Sequence, residues 1–453
     1  MTVVSLPAVG SPPGPVTDGR GATSRKGWTL ALASFGVFLT SLDVVVVATA
    51  LPTLTTDLHA SLSQLEWTIN AYNLVFACLM LISRMAQGVG AAAILPLTLT
   101  LISEAFPLAK RGAAIGIWGG VSGLGVAAGP VLGGAIVEGL SWQWIFWINV
   151  PVGAVVAVLS ALRLRESRGP RPRLDITGLV LVGLGLASLT WAAVRAPEVG
   201  WGSSEVVGTL IAGVVLPGAF LSWERRTTHP MLPLAYFRSR GFSSANGVAI
   251  FQFISLLGSL FMITQLFQIG LGYSPLEAGL RILVWMAMPM LVAPIAGGLA
   301  DRFGNKPFML LGLLLQGAGL GWLALVVEPG VGYGSLVVPL IIAGIGISWC
   351  FPTVANAVVS SVPLGDSGVA AGTNSALREL GGVFGIAILA AVFAGNGGYS
   401  SPAAFIDGFK PAIAVAALVP VLGLVAAAAG PSRRQVRELH PSAPRDIQQE
   451  LTS

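Results

Sequence analysis

Charge is scarce in this chain. Lys, Arg, Asp and Glu make up 10% of its 453 residues, against about 25% in a soluble globular protein. That shortage excludes an ordinary soluble domain. Histidine is rarer still: His59, His229 and His440 are the only three, and they lie in loops or the tail. Neither a zinc site nor an intramembrane histidine relay is indicated. The two cysteines, Cys78 and Cys350, both sit in apolar runs, so no disulfide framework is expected. No phosphate-binding loop with a Gly-Lys-Ser/Thr ending occurs, which leaves direct ATP coupling without support. The net charge of +5 is not a nucleic-acid signal, because the basic residues lie in short loops between apolar runs.

Apolar sequence is abundant instead. The chain is 54% hydrophobic, with a mean hydropathy of +0.80. Runs of about 20 residues, enough to cross a bilayer, recur at approximately 28–51, 112–137, 144–162, 176–194, 206–222, 244–268, 278–300, 307–327, 335–359, 371–394 and 405–429. The fold class predicted is an all-α polytopic membrane protein. Its 58 glycines suit helices that approach closely in lipid. Residues 1–27 and 431–453 are polar tails, both expected to be cytoplasmic; no apolar signal segment precedes Trp28.

The stretch Trp67–Ser103 carries a single charged residue, Arg84. Its number of crossings follows from the positive-inside rule. With a cytoplasmic amino terminus, Lys110 and Arg111, the arginines of 163–173, those of 225–240, Arg302 and Lys306, and Arg433, Arg434 and Arg437 all fall inside. The other side keeps only Arg195, Lys410 and, near a span end, Arg281. This separation requires an odd number of passages through Trp67–Ser103, and its length allows only one. The total becomes about twelve spans.

Four motifs bear on chemistry. In "SLDVVVVATALP", Asp43 lies inside the first span. A carboxylate there either carries a proton or hydrogen-bonds a neighbouring helix. "GLGVAAGPVLGGAI" holds Gly125, Gly129, Pro130, Gly133 and Gly134, expected on one helical face as a close-packing seam, and one that could control which side of the membrane is open. "GGLADRFGNKP" places Gly297, Asp301, Arg302, Gly304 and Lys306 in a cytoplasmic turn. There Asp301 and Arg302 either pair with each other or brace neighbouring helix ends, as a plain charged turn or as a latch. In "SALRELGGVFG", Arg378 is expected to face inward and Glu379 to snorkel to the cytoplasmic face. Phe251, Phe253, Met262 and Trp285, with Met286, Met288 and Trp349, are candidates to line an apolar pocket.

Taken together these motifs resemble the major facilitator superfamily, specifically its fourteen-span drug:proton antiporters. "LDVVVVATALP" is similar to that family's first-span motif, "RMAQGVGAAAILP" to the fourth, "GVAAGPVLGG" to the fifth-span antiporter motif and "SWQWIFWINVPVG" to the approach to the sixth. "GGLADRFGNKP" resembles the cytoplasmic loop motif and "LRELGGVFGIAI" the penultimate span. The resemblance covers roughly 28–430. It implies two helical bundles around a central cavity, alternating access, and no enzymatic activity. The parts would be a shortened first bundle at 28–165, two linker helices and a loop at 166–240, and a six-helix bundle at 241–430. One departure stands out. "FACLMLI" runs directly into "SRMAQG", so the material between the second and fourth spans of the family, worth two spans, is absent. Arg84 is then a fourth-span residue joined to the second span; by resemblance it and Asp43 are tied to proton coupling.

The function implied is export of amphipathic drugs or antibiotics, driven by the proton gradient without a cofactor, by a monomer in the cell membrane. Its partners would be a small amphipathic substrate and membrane lipid, with no nucleic acid. A transport-inactive deletion form and an uptake permease on the same fold are the alternatives.

Overall fold

A computed structural model describes residues 26–42, 90, 94, 96–140, 144–163, 175–200, 202–227 and 230–431. Asp43, Arg84 and most of Trp67–Ser103 lie outside these residues. The described chain is helical. Helix α1 covers 26–42 and α2 covers 96–105. Then follow α3 (Leu108–Gly139), α4 (Trp144–Trp147), α5 (Asn149–Arg163), α6 (Ile176–Val199) and α7 (Ser204–Glu224). After a short 3₁₀ turn come α8 (Arg240–Gln265), α9 (Pro275–Met286), α10 (Met288–Phe303), α11 (Lys306–Val326), α12 (Tyr333–Ser360), α13 (Ser367–Asn396) and α14 (Pro402–Ala429).

Eight helices among the described residues are long and apolar enough to cross a membrane. They agree with the hydropathy runs to within a few residues at most ends. The exceptions have local causes. The run at 144–162 is broken at Ile148 into α4 and α5, because Pro151 has no N–H to donate to the Trp147 carbonyl. The run at 278–300 starts earlier, at Pro275, where Ser274 and Glu277 form a reciprocal capping box. It bends at Ala287, where Pro289 leaves the Trp285 carbonyl without its helical donor. Helix α8 closes in a π turn, Leu266–Gly270.

Packing follows the small residues. Helix α3 lies along α9 and α10 and touches α12; α11 packs between α12 and α14; α8 packs between α13 and α14. The pair α6–α7 leans on α13 through α6. Besides a small cluster of Ala192, Ala196 and Val206 between α6 and α7, three larger buried clusters hold the described residues together. One is built around Phe267, Trp285, Phe405 and Phe409. The second is built around Phe242, Met309, Leu313 and Val354. The third joins α1, α2 and α3 to α12 through Val37, Ile102, Trp118 and Val359. The outer faces stay apolar, with Leu162, Val214, Leu325 and Val425 all exposed. That distribution suits lipid rather than water.

Outside the spans, the Tyr236 hydroxyl donates to Asp366 at 2.5 Å, tying the 3₁₀ turn before α8 to the turn before α13. Burial, and then the adjacent carboxylate, push the Tyr236 phenol up to about 12.

Candidate functional site: a cavity and the seam beside it

A cavity of about 900 Å³, its open mouth included, lies among α1, α3, α8, α9, α10, α12 and α13. Thr40 and Ser41 come from α1, and Gly119, Ser122 and Val126 from α3. Facing them are Phe253, Leu256 and Leu260 of α8, Trp285 and Met286 of α9, and Phe351 of α12. Arg378 and Glu379 of α13 complete the wall.

The polar groups in this wall are few. The Ser41 and Ser122 hydroxyls are hydrogen-bonded at 2.7 Å, and Thr40 donates to its own helix at Gly36. Arg378 is 9% exposed. Its guanidinium carbon lies 4.2 and 4.4 Å from the ring centres of Phe253 and Phe351, which are themselves 6.5 Å apart, so both rings flank it from neighbouring directions. Glu379 is exposed and lines the cavity. It is adjacent to Arg378 on α13, and the helix carries both to the same opening. Of the aromatic and Met candidates, Phe253, Trp285 and Met286 line the cavity. Phe251 and Met288 pack beside Gly423 and Gly344, Met262 is fully buried in the core, and Trp349 stacks on Phe308.

Along one side of the cavity, α3 presses against α9 and α10 almost backbone to backbone. A Cβ on Gly116 would stand 2.7 Å from the Ala293 carbonyl oxygen, one on Gly120 3.1 Å from Pro294, and one on Gly134 2.6 Å from Leu276 Cα. Gly297 faces the Gly112 carbonyl just as closely. Gly125 is on the other side of α3, against the backbone of Phe38 in α1. The expectation of one shared face therefore needs correction. Nine residues separate Gly125 from Gly134, which at about 3.6 residues per turn is two and a half turns. Gly129 and Gly133 are buried, and Pro130 lies within the continuous α3. The seam's lower rungs, Gly112, Gly116 and Gly120, were missed by sequence reading although their four-residue spacing was visible.

The loop motif lies at the end of this seam. Gly112 N–H donates to Asp301 Oδ1 and Ala113 N–H to Oδ2, both at 3.0 Å. Asp301 therefore braces the second turn of α3, near the positive end of the helix dipole. Among the described residues it makes no ion pair with Arg302, which is exposed in the last turn of α10. Gly304 adopts φ 89° as the α10 C-cap, a conformation that favours glycine. Lys306 Nζ donates to the Ala428 and Gly430 carbonyls, capping α14.

Comparisons place this architecture. A profile of the Major Facilitator Superfamily matches residues 75–270 and 259–450. The tetracenomycin C resistance and export protein of Streptomyces glaucescens is 32% identical over 424 residues, covering 84% of this chain and 78% of the relative. Multidrug resistance protein Stp of Mycobacterium tuberculosis is 30% identical, covering 81% and 75%. The multidrug export protein EmrB of Escherichia coli is 28% identical, covering 80% and 78%. Among solved structures, the human organic anion transporter MFSD10 superposes with a TM-score of 0.51 at 14% identity, covering 90% of this chain and 83% of that one. The proton:xylose symporter XylE superposes at 0.50 and 16% identity, covering 92% and 88%; these two likenesses concern the fold alone. A bundle of membrane-length helices around one cavity, with relatives that share most of their length with it, leaves one conclusion: the chain belongs to the Major Facilitator Superfamily and is a membrane transporter, not an enzyme.

Proposed function

We propose that this protein is a proton-coupled exporter of amphipathic, drug-like molecules, working by alternating access as a monomer in the cell membrane with both termini cytoplasmic. The observation that carries the reading is the cavity of about 900 Å³, mostly apolar yet holding Arg378 and Glu379, set against the glycine seam. The seam matters because it joins the first-half helix α3 to the second-half helices α9 and α10. Rocking of one half on the other would shear this contact and move the Asp301 brace. No cofactor is needed, since the proton gradient supplies the free energy. The named export functions of the relatives agree with this direction of transport.

The test is direct. Everted vesicles from a host lacking its own drug pumps should accumulate a fluorescent amphipathic dye when respiration acidifies their lumen, and lose it on adding a protonophore. Vesicles that contain folded protein and show no gradient-dependent accumulation would refute export.

A second reading concerns the first bundle. In the match to the tetracenomycin relative, 84% of the 453 residues is about 381, some 43 fewer than the 424 aligned positions. The shortfall is similar for Stp, about 367 residues against 407 positions. Gapped positions of that total number are what the loss of two crossings of about 20 residues each would leave; this agrees with a first bundle of four spans, and so with a form that folds without transporting. The vesicle assay separates the two.

A further inference from the structure

Arg378 presents a chemical problem that the cavity itself does not solve. The residue is 9% exposed, and its Nε is buried with no hydrogen-bond partner among the described residues. The two phenyl rings beside it satisfy its charge in part but supply no oxygen or nitrogen acceptor. Glu379 lines the same cavity, yet no ion pair joins it to Arg378 among the described residues. The hydroxyls across the cavity are already engaged: Ser41 with Ser122, and Thr40 with Gly36. The indole N–H of Trp285, also in the wall, is buried and has no partner among the described residues either. Two residues of a mostly apolar wall therefore each hold a shielded N–H that has no acceptor among the described residues. A buried arginine in that condition is costly unless something completes it.

Resting on the transport reading above, we propose that the cavity selects amphipathic substrates bearing an oxyanion, a carboxylate or an ionised phenol on an aromatic body, with Arg378 as the group that receives the charge. The planar fork of a guanidinium matches a carboxylate with two parallel hydrogen bonds. Phe253, Phe351 and Trp285 offer rings to the substrate's flat apolar part. Glu379 stands at the exposed side and disfavours a second negative charge, so the site suits a monoanion.

The experiment uses three probes with one pyrene body: pyrenebutyrate, pyrenebutanol and pyrenebutylammonium. Their affinities are measured for the full chain in nanodiscs of uncharged lipid, with empty nanodiscs subtracted. The unaltered protein should bind pyrenebutyrate at least about tenfold more tightly than pyrenebutanol, the contribution of a charge-assisted hydrogen bond. Arg378→Gln should erase that preference, and Arg378→Lys should retain part of it. Equal affinity for all three, tightest binding of the ammonium, or a preference that survives in R378Q would overturn the proposal. The first of these is also the result expected if Arg378 is already neutralised by a carboxylate of the chain itself. If R378Q does not purify as folded protein, the order of the three probes on the unaltered chain decides alone. Gradient-driven accumulation of pyrenebutylammonium in everted vesicles, without preferred binding of the anion, would leave export standing and remove this inference. An Arg378-dependent preference without gradient-driven accumulation of any probe would do the reverse.

Discussion

At the scale of the residue, Asp301 shows how a short motif acquires meaning only across the fold. Its two oxygens receive N–H groups from Gly112 and Ala113, 189 and 188 positions away. Hydrogen bonds to a charged acceptor contribute about 1.5–3 kcal/mol each. Asp301→Asn keeps the shape but offers one acceptor where there were two, so it should lower the thermal midpoint of the purified protein by a few degrees. Scanning fluorimetry in detergent reads this; an unchanged midpoint with unchanged transport would mean the contact is idle. Tyr236 gives a second case. Its ionisation is pushed up to about 12, above the ordinary value of about 10. A raised folded value means that Tyr236 stabilises the fold fully below pH 10 and loses that contribution as pH climbs through 12. Asp366→Asn removes the smaller causes and leaves burial, so the phenolate absorbance of Tyr236, taken by difference against Tyr236→Phe, should appear at a lower pH than in the parent.

At the scale of the element, α3 owes its role to what its seam face lacks. Gly116→Val would push methyls into the Ala293 carbonyl, 2.7 Å from the first added carbon, with no flexible side chain there to yield. Overpacking of this kind costs about 1–3 kcal/mol or more. The variant should give less folded protein and little transport. Gly183→Ala in α6, which meets nothing within 4 Å, should leave both unchanged. A Gly116→Val protein as stable as its control would show that α3 and α10 separate freely. The membrane helices themselves were legible in sequence, because lipid demands long apolar runs and most loops are charged. The breaks at Ile148 and Ala287 were not, although Pro151 and Pro289 signal both. Which glycines face which neighbour also escaped, since Gly125 and Gly134 look like one motif until the helical rotation between them is counted.

At the scale of the whole molecule, the arrangement of basic residues predicts a single passage through Trp67–Ser103. A reporter fused after Ala109 should therefore be cytoplasmic, and a phosphatase moiety placed there should be inactive; activity would invert every later loop. The fold class followed from hydropathy and charge because both act on whole segments. The cavity could not, because seven helices far apart in sequence build it, and only Phe253, Trp285 and Met286 of the seven large side chains considered reach it. Arg378 was expected to face inward, but its place beside both Phe253 and Phe351 depends on packing that no local pattern encodes.

The brace near the start of α3 also leaves a trace in hydrogen exchange. Gly112 and Ala113 are the fifth and sixth residues of α3, so their amides lie inside the helix ladder and are held a second time by a side chain from the other half of the protein. Deuterium reaches them only when the helix start frays and the contact with α10 opens as well, so the speed gained in Asp301→Asn reports how often the two halves stay together there.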